Sequence, residues 1–234
     1  KINTVYHPER ADFELKAPHT VEKDSSLNPG CVSIAHFTHA SLMPARVFLG
    51  GFSHIYLPIE EYLKAPSHVK EVVDGVEFPS VAMMKDYNDL DDMAVRVKLE
   101  GVKNVIVNNI GSLNIALKYG FNVHGGIGLS VQSVRAAKEY IRLGIQDVML
   151  SPELKLPAMK AIAELIPGRT GVAAYGKLPA MTVEKCVIRD VEMGKNAPGI
   201  SSCAYCDTKP YSYITDRHGA KIPVRRTFKH RNVL

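Results

Sequence analysis

The chain has 234 residues, of which 46% are hydrophobic and 23% are charged, a composition typical of a globular protein rather than a disordered one. Its four cysteines are too few and too unevenly placed for a disulfide-stapled secreted domain. No apolar run reaches the roughly 18 to 20 residues that cross a bilayer, and no signal-peptide pattern opens the chain. The sequence therefore predicts a soluble, cytoplasmic protein without a membrane partner.

The net charge of +5 is mild for this length, and by itself it does not indicate a nucleic-acid-binding protein. We expect no DNA partner. The positive charge is concentrated in residues 209–234, where a single acid, Asp216, stands against seven basic residues: Lys209, Arg217, Lys221, Arg225, Arg226, Lys229 and Arg231. This end of the chain is therefore the part that could approach a phosphate backbone.

The two ends of the sequence suggest a fragment of a longer protein. The first residue is Lys rather than Met, and the last three residues resemble the opening of an apolar segment. Residues 1–30 are polar and irregular, with prolines at positions 8, 18 and 29. We interpret them as a lead-in or as the tail of a preceding domain.

From residue 31 to residue 181, short apolar runs rich in β-branched residues alternate with longer amphipathic stretches. This alternation is typical of βα units around a parallel sheet, and it predicts an α/β fold. The predicted strands cover residues 32–37, 54–57, 76–83, 104–107, 122–127, 147–150 and 171–175.

Helix signals fall between these strands. Ser130 can cap a helix over residues 131–141, and Asp89 can open an earlier one. Pro152 and Glu153 suit the first turn of a later helix. Units of near-uniform length without a glycine-rich dinucleotide turn favour a TIM-like (β/α) barrel over a doubly wound sheet. The barrel is incomplete, because no eighth strand is identifiable.

Residues 182–234 depart from the βα rhythm and form an irregular cysteine-containing segment. The sequence predicts a β-hairpin with strands over residues 211–215 and 222–226. Three cysteines, Cys186, Cys203 and Cys206, have the spacing C-x16-C-x2-C. Two thiolates separated by two residues can bind one metal ion, and a loop-rich segment gains stability from such a site. The alternative is a redox or chance cysteine pair.

The fourth ligand has two candidates. Cys31 precedes the first strand, which places it at the opposite end of the barrel from Cys186, so we expect it to be a buried structural thiol. His230 is the better candidate. Three thiolates and one imidazole suit zinc or an iron–sulfur cluster. The alternative for His230 is a solvated residue in a basic run.

Barrel active sites form at the carboxyl ends of the strands. There the sequence places His124, Glu153 and Lys177, together with the amides of Asn108 and Asn109. Such a set can perform acid–base catalysis or bind a polar substrate. The simpler alternatives are a core histidine, a first-turn acid at a helix dipole and a surface lysine.

Other motifs are absent or carry no chemistry. His36 and His39 are three residues apart, but no nearby acid or cysteine in the sequence supports a metal, so we interpret them as structural. The common hydrolase and nucleotidase signatures G-x-S-x-G, H-E-x-x-H and the P-loop do not occur.

Several short motifs in fixed order resemble the collagenase-like peptidases of family U32, over roughly residues 31–234. They lie at residues 108–111, 150–154, 175–181 followed by Cys186, 215–219 and 222–224. The resemblance implies a TIM-like barrel in a cytoplasmic bacterial or archaeal protein, described as a peptidase without an assigned mechanism.

The same family includes iron–sulfur proteins that help hydroxylate RNA bases or quinone precursors, with four cysteines holding a 4Fe–4S cluster. By this resemblance Cys186, Cys203 and Cys206 match three cluster positions. The fourth position, before Arg231 and Asn232, is normally cysteine in the family and is His230 here. The site is then a cluster with a histidine ligand, a zinc site or a degenerate site.

Three functional classes remain open. The first is a peptidase acting on collagen-like or unfolded peptides. The second is an iron–sulfur-dependent hydroxylation enzyme or accessory protein acting on RNA or a quinone precursor. The third is a scaffold whose metal only fastens the C-terminal segment.

Overall fold

The structure, a computed structural model, describes residues 32–44, 51–194, 203–209 and 211–234. The predictions for residues 1–30 and for Cys31 lie outside these ranges. Residues Val32–Leu234 form one compact unit. In the described ranges no helix is long and apolar enough to span a membrane.

Seven parallel strands form one sheet in which each strand pairs with the next along the chain. This consecutive order belongs to a barrel, because a doubly wound sheet reverses its strand order at a switch point. The sheet is a curled half-barrel, which confirms the predicted incomplete TIM-like barrel. Its strands are β1 (Ile34–His36), β2 (His54–Pro58), β3 (Gly75–Glu77), β4 (Asn104–Val107), β5 (Asn122–Gly125), β6 (Asp147–Met149) and β7 (Thr170–Gly171).

Helices connect these strands and cover one face of the sheet. The apolar core lies between the two layers, where valines of the central strands meet Leu90 and Leu113 of the helices. Burial of this aliphatic surface is the main stabilising contribution to the barrel half. The helices are α1 (Ile59–Lys64), α2 (Ser67–Lys70), α3 (Tyr87–Leu99), α4 (Ile110–Lys118), α5 (Val134–Arg142) and α6 (Leu156–Leu165).

Several strands are shorter than the sequence predicted. Of the run over residues 76–83, only Val76 and Glu77 belong to the sheet, in strand Gly75–Glu77. Pro79 lies two residues beyond this strand and lacks the amide hydrogen that a continuing ladder requires. The last predicted strand, over residues 171–175, is reduced to Thr170–Gly171.

Two predicted helix starts are wrong. Ser130 adopts a left-handed conformation with φ 49° at the end of a short 3₁₀ turn, and Ser133 instead caps α5 by accepting a hydrogen bond from the amide of Ala136 at 3.2 Å. Pro152 and Glu153 lie in a turn before α6, which begins at Leu156. In both cases a neighbouring residue has the conformation that a helix start needs.

The C-terminal segment forms a small antiparallel sheet of four strands, β8 (Thr182–Val183), β9 (Ser212–Thr215), β10 (Lys221–Arg226) and β11 (Asn232–Val233), in the order β8-β11-β10-β9. The pairing of β9 with β10 confirms the predicted hairpin, and its turn is held by the carboxylate of Asp216, which accepts hydrogen bonds from the amides of His218 and Ala220. The helices α7 (Val187–Met193) and α8 (Tyr205–Thr208) lie between β8 and β9 in the chain, and we call the four strands with these two helices the tail sheet.

Polar contacts and one aromatic side chain join the tail sheet to the barrel half. Arg231 is only 2% exposed and donates from Nη2 to Oδ2 of Asp86 at 2.7 Å. Lys229 pairs with Asp89 of α3. Phe228 packs into the main apolar core. The tail sheet therefore has a fixed position at the barrel half.

Candidate functional site

The concave face of the half-barrel is mostly polar, and its aliphatic members are Ile34, Ile106 and Met149. Valines of the central strands point to the helix layer, so the residues that alternate with them point to the opposite face. Three histidines, a tyrosine, two carboxylates and two asparagines lie there: His36, His54, His124, Tyr56, Glu77, Asp147, Asn104 and Asn122. A purely structural barrel interior is filled by branched aliphatic residues, so this face has the composition of a binding site.

The predicted site residue His124 forms a close pair with Asp147. The two residues are register partners on β5 and β6, and Nδ1 of His124 lies 2.8 Å from Oδ2 of Asp147. A carboxylate at Nδ1 holds the proton on that nitrogen and leaves Nε2 with a lone pair. His124 can therefore accept a proton at Nε2, as a general base does.

A second histidine–carboxylate pair lies near the ends of β1 and β3. Nδ1 of His36 is 3.6 Å from Oε2 of Glu77, and the amide of Asn108 donates to Oε1 of Glu77 at 2.9 Å. Burial raises the pKa of the Glu77 carboxyl. The His36 imidazole, the Asn108 amide and the charge of Arg225 lower it by more than burial raises it, so the net pKa is below its ordinary value. Glu77 is thus an anion at neutral pH.

Tyr56 lies between the two pairs. Its ring centroid is 5.6 Å from that of His36 and 6.4 Å from that of His124. Burial, together with the nearby negative charge of Asp147, raises the pKa of the Tyr56 phenol above its ordinary value. The hydroxyl therefore remains protonated and can act as a hydrogen-bond donor.

Two glycines allow the chain after β5 to approach Asn108. Oδ1 of Asn108 accepts a hydrogen bond from the amide of Gly128 at 3.0 Å. A Cβ atom on Gly126 would lie 2.2 Å from the same Oδ1, so no larger residue fits there without displacing Asn108. Asn109, the other predicted amide, caps α4 by accepting from the amide of Ser112 at 2.8 Å. Asn108 thus belongs to the site, whereas Asn109 stabilises a helix.

A cleft opens between the ends of β1, β2 and β3 and the overlying strand β10. Its volume of about 70 Å³ accommodates a substrate group or a few waters but not a whole small-molecule ligand. Charged side chains of both signs line it: His36, Glu60, Glu61, Glu77, Arg225 and Arg226. Burial raises the pKa of Glu60, while Glu61 is paired with His39 at 3.0 Å.

The three C-terminal cysteines lie in one region. Cys186 and Cys206 are buried in the same small apolar cluster as Ile188 and Val224. Burial raises the pKa of the Cys206 thiol, and the nearby Cys186 and Cys203 raise it further, while Arg226 opposes them. All three described cysteines are free. The donor chemistry therefore fits a thiophilic metal or cluster.

The side chain of Asn232 contacts both Cys186 and the first turn of α7. Nδ2 of Asn232 lies 3.7 Å from Sγ of Cys186, and Oδ1 of Asn232 accepts from the amide of Ile188 at 3.2 Å. The side chain of His230 lies outside the described part of the structure. Among the side chains that are described, no group of three or more His, Cys, Asp or Glu residues has the geometry of a metal site.

Two of the predicted site residues, Glu153 and Lys177, form no described contact with His124. Glu153 is exposed, and its Oε2 accepts a hydrogen bond from Nε2 of Gln132 at 2.9 Å. Lys177 is exposed on the segment after β7. Within the described ranges no hydrogen bond or ion pair links either side chain to His124 or Asp147.

The sequence reasoning missed Asp147, Glu77, Tyr56 and the role of His36. Their signal is the alternation of polar residues with valines along the central strands, which indicates a polar concave face. His36 and His39 do have acidic partners, Glu77 and Glu61, which corrects the expectation that no acid lies near them; both acids are distant in sequence. A parallel sheet with consecutive strand order brings these residues together.

An incomplete parallel (β/α) barrel with a polar concave face and a cysteine-bearing tail sheet defines the class of this protein. Peptidase family U32 matches over residues 76–231, which is two thirds of the chain, and the chain belongs to this family. No curated protein sequence gives a significant match. A solved structure titled "Native KDPGal structure" is 19% identical, with a TM-score of 0.40, covering 63% of this chain and 72% of that one.

Proposed function

We propose that this member of the U32 family binds a metal centre through Cys186, Cys203 and Cys206 and uses it beside the polar barrel face. An iron–sulfur cluster of the 4Fe–4S type is the favoured occupant, and zinc is the alternative. The observation that carries the proposal is the burial of Cys186 and Cys206, which are distant in sequence, in one small cluster, with Cys203 close enough to raise the pKa of the Cys206 thiol. His230 is the proposed fourth ligand, and free cysteines suit a reducing, cytoplasmic setting.

The chain's own residues have defined tasks in this proposal. His124, oriented by Asp147, accepts or returns a proton at Nε2. Tyr56 orients a polar substrate group at the concave face, Asn108 positions the carboxylate of Glu77, and Glu77 holds the imidazole of His36. A bound cluster would carry electrons away from the substrate in an oxidative step such as hydroxylation of an RNA base or a quinone precursor, with water as the oxygen source and an external electron acceptor as the oxidant.

Metal analysis of anaerobically purified protein tests whether the three cysteines bind a metal centre. We expect about four irons and four sulfides per chain in the wild type, and less than half of that in Cys206→Ser. The matched control is Cys31→Ser, which should keep its metal. One zinc per chain would support the alternative occupant, whereas no metal, or a Cys203–Cys206 disulfide alone, would overturn the proposal.

Peptide hydrolysis is the second candidate function. It is favoured by the family description and by the His124–Asp147 pair, which can activate a water molecule for attack on a carbonyl group. The test is cleavage of gelatin and of collagen-like peptides. Loss of cleavage in His124→Gln with retained activity in Cys206→Ser would establish hydrolysis and leave the metal as a structural fastener.

A further inference from the structure

The turn that carries His230 contains a strained residue. Lys229 has φ 56° and ψ 37° inside the short 3₁₀ turn Phe228–His230. This left-handed conformation favours glycine or asparagine, because a Cβ atom crowds the backbone there. Within the described ranges, Ser130 is the other non-glycine residue with a positive φ. Such strain persists only where surrounding contacts hold the backbone in place, and it is concentrated at functional sites.

Contacts with the barrel half hold this turn from before, within and after it. Phe228 is 3% exposed and packs in the main apolar core. The ammonium group of Lys229 pairs with Asp89 in the first turn of α3. Arg231 donates to Asp86, the residue that precedes α3, at 2.7 Å. The turn is therefore fixed to the start of α3.

The chain after the same turn leads to the thiols. Asn232 follows His230 by two residues, and its Nδ2 lies 3.7 Å from Sγ of Cys186. Two residues of extended chain span at most about 7 Å, so the Cα atom of His230 lies within about 7 Å of that of Asn232. The backbone of His230 thus lies between an anchor on the barrel half and a residue that contacts a proposed metal ligand.

Closure of the hairpin does not by itself require lysine at position 229. The amide of Thr227 donates to the carbonyl of Arg231 at 2.7 Å, which joins β10 to β11 across the turn. A glycine at position 229 would adopt the same conformation without strain. Lysine adds a long cationic side chain, and this side chain reaches Asp89 on the barrel half. The residue type therefore suits a turn whose position on α3 matters.

We propose that Lys229 and Asp89 are positioning residues for His230. Their ion pair fixes the left-handed backbone on α3, and this backbone presents the imidazole to the metal held by Cys186 and Cys206. The metal centre is then complete only when the tail sheet is docked on the barrel half. The inference rests on the proposed function for the metal centre itself, and it adds that the barrel half controls the fourth ligand.

Cobalt(II) titrated into the metal-free chain is the probe, because its visible spectrum reports thiolate and imidazole ligands. Asp89→Asn should weaken Co²⁺ binding roughly 10- to 100-fold, the range for losing a group that orients a metal ligand, and should give the spectrum of His230→Ala. Adding Asp89→Asn to His230→Ala should cause no further loss, because Asp89 acts through His230. The matched control is Asp91→Asn on α3, which breaks an ion pair with Lys118 and should bind as the wild type does.

Two substitutions of Lys229 separate the backbone from the charge. Both remove the ion pair with Asp89, but glycine adopts the left-handed conformation freely and the β-branched valine does not. Lys229→Gly should therefore bind Co²⁺ roughly 5- to 30-fold more tightly than Lys229→Val, which is the cost of a left-handed residue expressed as a ratio of affinities. Equal affinities in the two variants would overturn the role of the backbone conformation.

The outcomes distinguish this inference from the proposed function. A wild-type chain that binds no Co²⁺ through its thiols overturns both. Wild-type affinity in Asp89→Asn, or an equal loss from Asp89→Asn with and without His230, overturns only the positioning role, since a general structural effect does not depend on His230. A wild-type spectrum in His230→Ala removes His230 as the ligand and the positioning role with it. Circular dichroism of each variant separates lost positioning from lost folding.

Discussion

The barrel half and the tail sheet are each stabilised by different interactions. In the barrel half, aliphatic side chains such as Leu57, Leu90 and Val105 are fully buried between the sheet and the helices. The tail has a buried apolar cluster of only Cys186, Ile188, Cys206 and Val224 within the described residues. Apolar burial therefore dominates the barrel half, whereas the tail depends on thiols and on ion pairs.

Because of this difference, the two regions respond differently to pH, salt and metal ions. Apolar packing changes little with pH or with metal concentration, so the packed layers of the barrel half stay constant beneath the ionisable side chains of the site. Ion pairs and thiols respond to protons, salt and metals. The tail sheet, which covers the barrel mouth through β10, is thus the part of the molecule in which conditions can alter the site.

The largest predicted effect comes from the buried pair that joins the two regions. Arg231→Met leaves the Asp86 carboxylate buried without its cation, and we expect a loss of about 3 to 5 kcal/mol in the free energy of unfolding. Urea unfolding measures it. Adding Asp86→Asn should recover part of the loss, and the exposed control Arg142→Met should cost no more than about 1 kcal/mol. A loss equal to the control contradicts the prediction.

The same pair predicts a pH dependence. Burial raises the pKa of Asp86, but hydrogen bonds from the Met83 amide and from Arg231 lower it more, so the folded pKa is below the unfolded value. A depressed carboxyl pKa stabilises the protein above the unfolded value of about 3.9, and this contribution is lost as pH falls further. Asp86→Asn should therefore give a flatter dependence of unfolding free energy on pH below about 4. Parallel curves for the two proteins would disprove this assignment.

The sequence predicted the barrel better than the site. Strand positions followed from β-branched runs, because a buried parallel strand needs a continuous apolar side. His124 is predictable from its position near the carboxyl end of a strand, but its partner Asp147 begins the next strand and carries no motif. The same reasoning from strand ends points to Glu153 and Lys177, yet they are exposed. Pairing between distant residues depends on strand register, which local patterns do not encode.

Core truncations compare the two regions directly. Leu90→Ala in the barrel half should lower the unfolding free energy by about 2 to 5 kcal/mol, since Leu90 is fully buried. Val224→Ala in the tail removes two carbons and should cost about 1.5 kcal/mol.

Alkylation of Cys206 by iodoacetamide measures whether the tail opens separately from the barrel half. Val224→Ala should speed it under native conditions, and equal rates in both variants would show that the tail does not open separately.

The smallest effect tests the close approach at the concave face. Gly126→Ala places a methyl group against Oδ1 of Asn108, and we expect a cost of about 1 to 3 kcal/mol. Displaced Asn108 would no longer donate to Glu77, so the pKa of that carboxyl should rise toward its ordinary value in an NMR titration. The control Gly51→Ala meets no atom within 4 Å. An unchanged Glu77 titration in Gly126→Ala would mean that the His36 imidazole and Arg225 alone set the charge of Glu77.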